Sequence, residues 1–193
     1  MAAQPVGAKL VRAVTGALTA PPRTRGAVYL LLDTSASMAD RGKMAGLLNG
    51  SLRLFAEARR QDLAVGAVAF ASRTRVLLRA SCDEGRFRAC LKTLAPGGRT
   101  AMAPAVRLAT RLLRRRPGEK TILLVTDGQP DDPAATLYAA RLARAEGVTL
   151  IAIGTDGADE AFLAALTPKP ELAVKVEAGE LEGAIGDATR RLP

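Results

Sequence analysis

Apolar residues along this chain fall into short uninterrupted runs separated by segments of a different pattern. The runs lie at residues 27–32, 63–70, 121–126 and 148–153. A run without polar interruption is typical of a strand that is buried on both faces of a parallel sheet. Residues 76–80 follow the second run too closely for a crossover helix, so we predict that this strand pairs antiparallel at a sheet edge.

The segments between the runs repeat apolar residues every three or four positions, as one face of a helix does. The clearest repeat is Met44, Leu47, Leu48, Ser51, Leu52 and Phe55. Further helices are predicted at about residues 84–94, 105–112, 133–146, 159–167 and 181–192, with Asp132 and Gly147 bounding the 133–146 helix. This alternation predicts an α/β fold of three layers, with a doubly wound, Rossmann-like, mostly parallel sheet of about six strands.

The first 25 residues differ from the rest of the chain. They end in Ala-Pro-Pro-Arg-Thr-Arg, and paired prolines favour extended backbone. We therefore place a lead-in segment at residues 1–25 and a single domain at residues 26–193. No apolar run reaches the roughly 20 residues that cross a bilayer, and no signal peptide is recognisable. These features predict a cytoplasmic protein without a membrane segment.

Histidine is absent from the chain, and only two cysteines occur. The lack of histidine excludes Ser-His-Asp and Cys-His catalysis as well as an imidazole proton shuttle. Cys82 and Cys90 lie in a predicted helical segment, where eight residues separate them by about 12 Å. We therefore expect two free thiols rather than a disulfide.

The formal net charge is +9, and four of the basic residues lie in residues 1–25. A protein that binds nucleic acid gains from aromatic side chains among its basic residues, and this chain has only two Tyr, four Phe and no Trp. Nucleic-acid binding therefore stands only as a rival interpretation. The charge also fits steering toward an acidic partner of any kind.

Three short polar segments come directly after apolar runs or before helices. They are Asp-Thr-Ser-Ala-Ser at residues 33–37, Gly-Gly-Arg-Thr at 97–100 and Thr-Asp-Gly at 126–128. Functional groups in an open parallel sheet gather outside the carboxyl ends of the strands. The oxygen donors in these segments suit a hard cation such as Mg²⁺, with Mn²⁺ or Ca²⁺ as alternatives. The candidate metal ligands are Asp33, Ser35, Ser37, Thr100 and Asp127. The first segment taken alone fits equally well a helix cap.

Together these motifs resemble the von Willebrand factor A family, whose metal-ion-dependent adhesion site (MIDAS) combines a DxSxS loop with a separate threonine and a separate aspartate. The resemblance covers residues 26–192, with Ala36 at a position where glycine is frequent. It implies that Asp33, Ser35, Ser37, Thr100 and Asp127 hold a divalent cation, the serines directly and one aspartate largely through water. The chain also resembles small bacterial intracellular members of the tellurite-resistance type.

The resemblance implies a module without catalytic activity that captures an Asp or Glu of a protein partner, such as a stress-response protein or an AAA+ ATPase component. The main rival is metal-dependent phosphoryl transfer. However, the chain has no GxxxxGK[ST] loop and no GxGxxG after the first strand.

If the chain is such a metal-dependent module, replacing Asp33 by Ala should weaken metal binding. The metal-free variant could even be more stable than the original protein, because Asp33 and Asp127 would no longer repel each other.

Two further features of the sequence leave alternatives open. Asp131 and Asp132 extend the metal rim or, as we favour, form a turn and a helix cap, and Asp156 and Asp159 fit similar loop and helix-start roles. Lys43 either assists an acidic partner or is a solvated lysine in the first turn of its helix.

Overall fold

The computed structural model describes residues 24–40 and 42–191, so the predicted lead-in segment lies almost entirely outside the described residues. The strands are β1 Gly26–Asp33, β2 Leu63–Phe70, β3 Thr74–Ser81, β4 Glu119–Thr126, β5 Thr149–Thr155 and β6 Ala173–Val176. They form one sheet in the order β3-β2-β1-β4-β5-β6, in which only β3 is antiparallel to its neighbour. The predicted mostly parallel sheet with one antiparallel edge strand is confirmed.

Helices cover both faces of this sheet. They are α1 Lys43–Arg60, α2 Glu84–Leu91, α3 Met102–Arg114, α4 Pro133–Ala145, α5 Glu160–Leu166 and α6 Leu181–Asp187. Side chains of α1, α2 and α6 join one apolar core, and those of α3, α4 and α5 join the other. Every residue of β1 and β2 is buried, because both strands lie between these two layers. The fold is therefore a doubly wound α/β sandwich of three layers.

The sheet reverses its winding between β1 and β4, which are neighbours at its centre. From β1 the chain passes through α1 to β2 on one side, and from β4 it passes through α4 to β5 on the other. The crossover helices of these two units lie on opposite faces of the sheet. The carboxyl ends of β1 and β4 consequently open a crevice, which is where ligands bind in sheets of this kind.

Smaller sequence predictions are also met. The carboxylate of Asp132 accepts the backbone N–H of Ala135 and caps α4, and Asp159 caps α5 in the same way. Gly147 adopts the left-handed conformation after α4, with a φ of 74°. Cys82 and Cys90 are free thiols. None of the helices within residues 24–40 and 42–191 is long and apolar enough to cross a bilayer.

Tyr29 fixes the antiparallel edge strand in a way that the sequence pattern does not reveal. Its buried ring lies over Gly66, where an added Cβ would come within 2.3 Å of a ring carbon. The ring thus crosses β2, and the Tyr29 hydroxyl accepts the backbone N–H of Ala80 at 2.9 Å. Because the β2–β3 register shifts nearby, this bond holds β3 where the regular ladder is interrupted.

Candidate metal site

Asp33 is the last residue of β1, and its carboxylate is completely buried at the carboxyl edge of the sheet. Its Oδ1 accepts the backbone N–H of Ser35 at 2.8 Å. Its Oδ2 accepts the hydroxyl of Thr126, the last residue of β4, at 2.6 Å. Asp33 therefore joins the turn of the first loop to the end of the neighbouring strand.

The two serines of the first loop form a continuous polar path to Asp127. The Ser35 and Ser37 hydroxyl oxygens are 3.1 Å apart, and the Ser37 hydroxyl donates to Asp127 Oδ1 at 2.7 Å. Asp127 is buried, whereas Ser37 is exposed. The structure thus places an exposed residue, Ser37, against a buried carboxylate, so a cation beside Ser37 would lie near the protein surface.

Thr100 belongs to a loop that is tied to the same edge by backbone hydrogen bonds. Ala36 N–H donates to Gly98 O at 3.1 Å, and Gly97 N–H donates to Thr34 O at 2.8 Å. The Thr100 hydroxyl oxygen lies beside Gly128, 4.0 Å from where a Cβ would stand. The structure therefore brings all five predicted residues to one edge of the sheet, with Thr100 beside the residue that follows Asp127.

The alternative interpretation of the first loop as a helix cap does not describe its serines. Ser35 precedes a short 3₁₀ turn at Ala36–Ala39 but makes no side-chain capping bond to it. Helix α1 begins only at Lys43, after Gly42, which also supplies no side-chain cap. The capping interaction in this loop is instead made by Asp33, whose carboxylate accepts the Ser35 backbone N–H. The Ser37 hydroxyl donates to Asp127, and the Ser35 hydroxyl contacts that of Ser37 rather than a helix N–H group.

The prediction of a solvated first-turn lysine is wrong for Lys43, whereas its assistance to an acidic partner stays a prediction. Its side chain is only 7% exposed, and its Nζ donates to Asp127 Oδ2 at 2.7 Å and to Ser37 O at 3.2 Å. The ammonium also forms an ion pair with Asp156 Oδ2 at 3.1 Å. Asp156, predicted to serve only its loop, therefore belongs to this cluster.

Thr126 and Asp131 also support the site, and the sequence pattern assigned neither of them this role. Asp131 accepts the Thr100 backbone N–H at 3.3 Å, and its own N–H donates to Thr100 O at 3.0 Å. It also pairs with Arg99 at 3.3 Å, so it fixes the Thr100 loop rather than extending the metal rim. The signal for Thr126 was its place at the end of the strand, next in sequence to Asp127.

The electrostatics of the buried carboxylates fit a bound cation. Burial raises the pKa of Asp33 above its ordinary value, and the hydrogen bonds from Thr126 and Ser35 offset this effect only in part. The charged form of Asp33 is thus disfavoured in the protein by itself, and a positive ion nearby would stabilise it. Within residues 24–40 and 42–191 no three His, Cys, Asp or Glu side chains cluster as a metal site. The donors here are two carboxylates and three hydroxyls, a set suited to Mg²⁺.

The family of the chain follows from comparison with known proteins. A model of the von Willebrand factor type A domain matches residues 28–129, which is more than half of the chain. The chain therefore belongs to the von Willebrand factor A family, whose domains are generally interaction modules rather than enzymes. A comparison with curated protein sequences found no match.

Solved structures of this family share the fold at low sequence identity. The pilus adhesin SpaC from Lactobacillus rhamnosus GG has a TM-score of 0.78 at 16% identity, covering 88% of this chain and 31% of that chain. Proximal thread matrix protein 1 of the mussel byssus, with a zinc-occupied MIDAS, has a TM-score of 0.74 at 19% identity, covering 86% and 47%. The manganese-loaded TRAP protein of Plasmodium vivax has a TM-score of 0.70 at 22% identity, covering 83% and 72%.

The chain spans less than half of the pilus adhesin and of the byssus protein. Identities below 25% establish the shared fold alone. Two of these relatives carry divalent metals, zinc in the byssus protein and manganese in TRAP. A divalent cation is therefore a plausible ligand for this fold.

Proposed function

We propose that this chain is a metal-dependent protein-interaction module in which a divalent cation captures a carboxylate of a partner protein. The cation would be held by Asp33, Ser35, Ser37, Thr100 and Asp127. The observation that carries the proposal is the hydrogen bond from the hydroxyl of the exposed residue Ser37 to the buried Asp127 carboxylate, at the reversal point of the sheet. The cation is Mg²⁺ in this proposal, and Mn²⁺ or Ca²⁺ suits the same oxygen donors.

The donor set explains why such a cation would still attract an acidic group. Hydroxyls and water carry no formal charge, so a cation held mainly by them keeps much of its positive charge. Asp33 and Asp127 are buried and Ser37 is exposed, so in this proposal the cation would face solvent on the Ser37 side. An Asp or Glu side chain of a partner would complete the coordination there.

Charged residues around the proposed cation would also contribute to binding an acidic partner. The Arg99 side chain lies beside Thr100, is 75% exposed and extends into solvent while pairing with Asp131. The exposed Arg99 and the net charge of +9 would both contribute to attracting an acidic surface. We infer a bacterial cytoplasmic partner with acidic residues at the contact, of the stress-response or AAA+ ATPase class. The proposed role needs no catalytic base and is not enzymatic.

Retention of partners on the immobilised protein tests this function. With Mg²⁺ present, proteins of the host lysate are expected to bind, and chelator or Ser37→Ala should reduce retention at least about tenfold because a cation ligand is lost. Ser81→Ala is the matched control. Ser81 is the last residue of β3 and pairs with Val65, away from the carboxyl edge of the sheet, and its hydroxyl accepts the nearby Asp83 N–H. Cross-linking followed by peptide identification should place an Asp or Glu of the partner at Ser37.

The outcome that contradicts the function is equally specific. If the same proteins remain bound in chelator and on Ser37→Ala, the interaction does not pass through a metal. Retention that falls steeply with salt and is displaced by DNA or RNA, without response to chelator, would instead favour nucleic-acid binding.

A further inference from the structure

Helix α1 begins with a buried lysine, which is an unusual residue for that position. The N-terminus of a helix carries the positive end of the helix dipole, which disfavours a cation there. Burial of the Lys43 ammonium adds a further cost, since a charge removed from water must be compensated. The only acidic residues that compensate it come from other elements, since the first turn of α1 contains none.

The compensation comes from the candidate metal site itself. Lys43 Nζ lies 2.7 Å from Asp127 Oδ2, 3.1 Å from Asp156 Oδ2 and 3.2 Å from Ser37 O. The hydrogen bond to Asp127 and the ion pair with Asp156 offset the cost of burying the ammonium. The side chain is therefore held as a cation between two carboxylates.

Asp127 divides its two oxygens between this ammonium and the serine loop. Its Oδ1 accepts the Ser37 hydroxyl and its Oδ2 accepts Lys43. A divalent cation bound beside Ser37 would share the Asp127 carboxylate with the ammonium, only a few ångströms away. Two positive charges on one carboxylate repel each other, and this repulsion is weakly screened because Lys43 and Asp127 are both buried.

We propose that Lys43 is a tethered counter-ion of the metal site, which stabilises Asp127 and Asp156 in the metal-free protein and lowers the affinity for the divalent cation. The inference rests on the proposed function, because it assumes that a divalent cation binds beside Ser37. It assigns to one residue of the chain the control of how tightly that cation is held.

Titration of Mn²⁺ into Lys43→Met by calorimetry, paired with thermal melts in chelator, tests this inference. We expect the affinity for Mn²⁺ to rise at least about tenfold, because the competing positive charge is gone. In chelator the melting temperature should fall by about 10 °C, because Asp127 is then buried without a cation. Saturating Mn²⁺ should recover most of this loss, since binding to the folded state alone stabilises it.

Three further variants keep the test decisive. Lys43→Gln removes the charge but retains an amide donor toward Asp127, and it serves if the methionine variant does not fold. Lys43→Arg keeps the charge and should keep the low affinity. Lys120→Met removes a lysine at the opposite end of β4, whose ammonium contacts only Arg114 O at 3.5 Å, and should leave Mn²⁺ affinity unchanged.

The possible results separate this inference from the proposed function. Tighter binding by the uncharged variants, or binding by them alone, supports the tethered counter-ion. Unchanged or weaker binding by these variants, with normal binding by the unmodified protein, overturns it and makes Lys43 a residue that positions Asp127. If neither the unmodified protein nor any Lys43 variant binds Mn²⁺, the proposed function itself fails, and the inference with it.

Discussion

Asp33→Ala is expected to weaken the binding of Mg²⁺ or Mn²⁺ by about 10–100-fold, the scale typical for loss of a residue that orients metal ligands. Asp33 accepts both the Ser35 backbone N–H and the Thr126 hydroxyl, so it holds the first loop against the end of β4. Without this carboxylate the serine hydroxyls lose their fixed position, and one negative charge near the cation is removed. Calorimetric titration of the purified variant measures the change.

The structure revises the expectation that the metal-free Asp33→Ala protein gains stability. The substitution leaves the Ser35 N–H without its acceptor in a buried place, which costs about 1–3 kcal/mol. Repulsion from Asp127 affects the pKa of Asp33 less than burial or the hydrogen bonds from Thr126 and Ser35 do, so we do not expect its relief to compensate. We therefore expect a lower melting temperature in chelator for Asp33→Ala.

Asp33→Asn is the matched control for charge. Its amide can accept from Ser35 N–H and donate to Thr126, whose hydroxyl also reaches Gly128 O at 3.3 Å. The hydrogen bonds are thus kept while the costly buried charge is lost, so stability in chelator should hold or increase. Metal affinity should still fall. Unchanged metal affinity in both variants would reduce Asp33 to a structural residue of the turn.

Gly66→Val is expected to destabilise the protein by about 3 kcal/mol, with a fall in the melting temperature of about 6–12 °C. The Tyr29 ring occupies the space over Gly66, so the valine side chain must displace it. Displacement of the ring breaks the bond from the Tyr29 hydroxyl to Ala80 N–H and releases β3 at its irregular point. Thermal melts and amide hydrogen exchange of residues 74–81 measure this effect.

Tyr29→Phe is the control for this prediction, because it removes the hydroxyl and leaves the ring in place. It should cost only about 1 kcal/mol, the usual net value of one hydrogen bond. Metal affinity should be unchanged in both variants, since Ala80 pairs with β2 far from the carboxyl edge. A Gly66→Val protein as stable as the original would show that the ring does not pack over Gly66 in solution.

The sequence predicted the sheet well where burial imposes a simple pattern. Strands between two helical layers must be apolar on both faces, so β1 and β2 are visible as uninterrupted runs. Strand β6 lies at the edge, has only four residues and is partly exposed, so its composition carries no such signal. The register of β3 could not be predicted from the pattern of apolar residues either, because it depends on the contact that Tyr29 makes across β2.

The candidate site shows a similar limit. Strand-end residues such as Asp33 and Asp127 are predictable, because parallel strands bring their carboxyl ends to one edge. The pairing of Lys43 with Asp127 joins residues that are 84 positions apart and follows no periodicity. The available signal was a lysine at the start of a helix whose first turn contains no acid, where the helix dipole predicts a compensating partner.

Diffraction from crystals soaked in Mn²⁺, recorded near the manganese absorption edge, tests the central claim most directly. We predict one strong anomalous peak within about 2.5 Å of the Ser35 and Ser37 hydroxyl oxygens, with Thr100 or Asp127 completing the coordination directly or through water. At a Mn²⁺ concentration that just saturates the unmodified protein, the peak should be much weaker in crystals of Asp33→Ala. A manganese peak elsewhere on the molecule, with none at Ser35 and Ser37, would contradict the account.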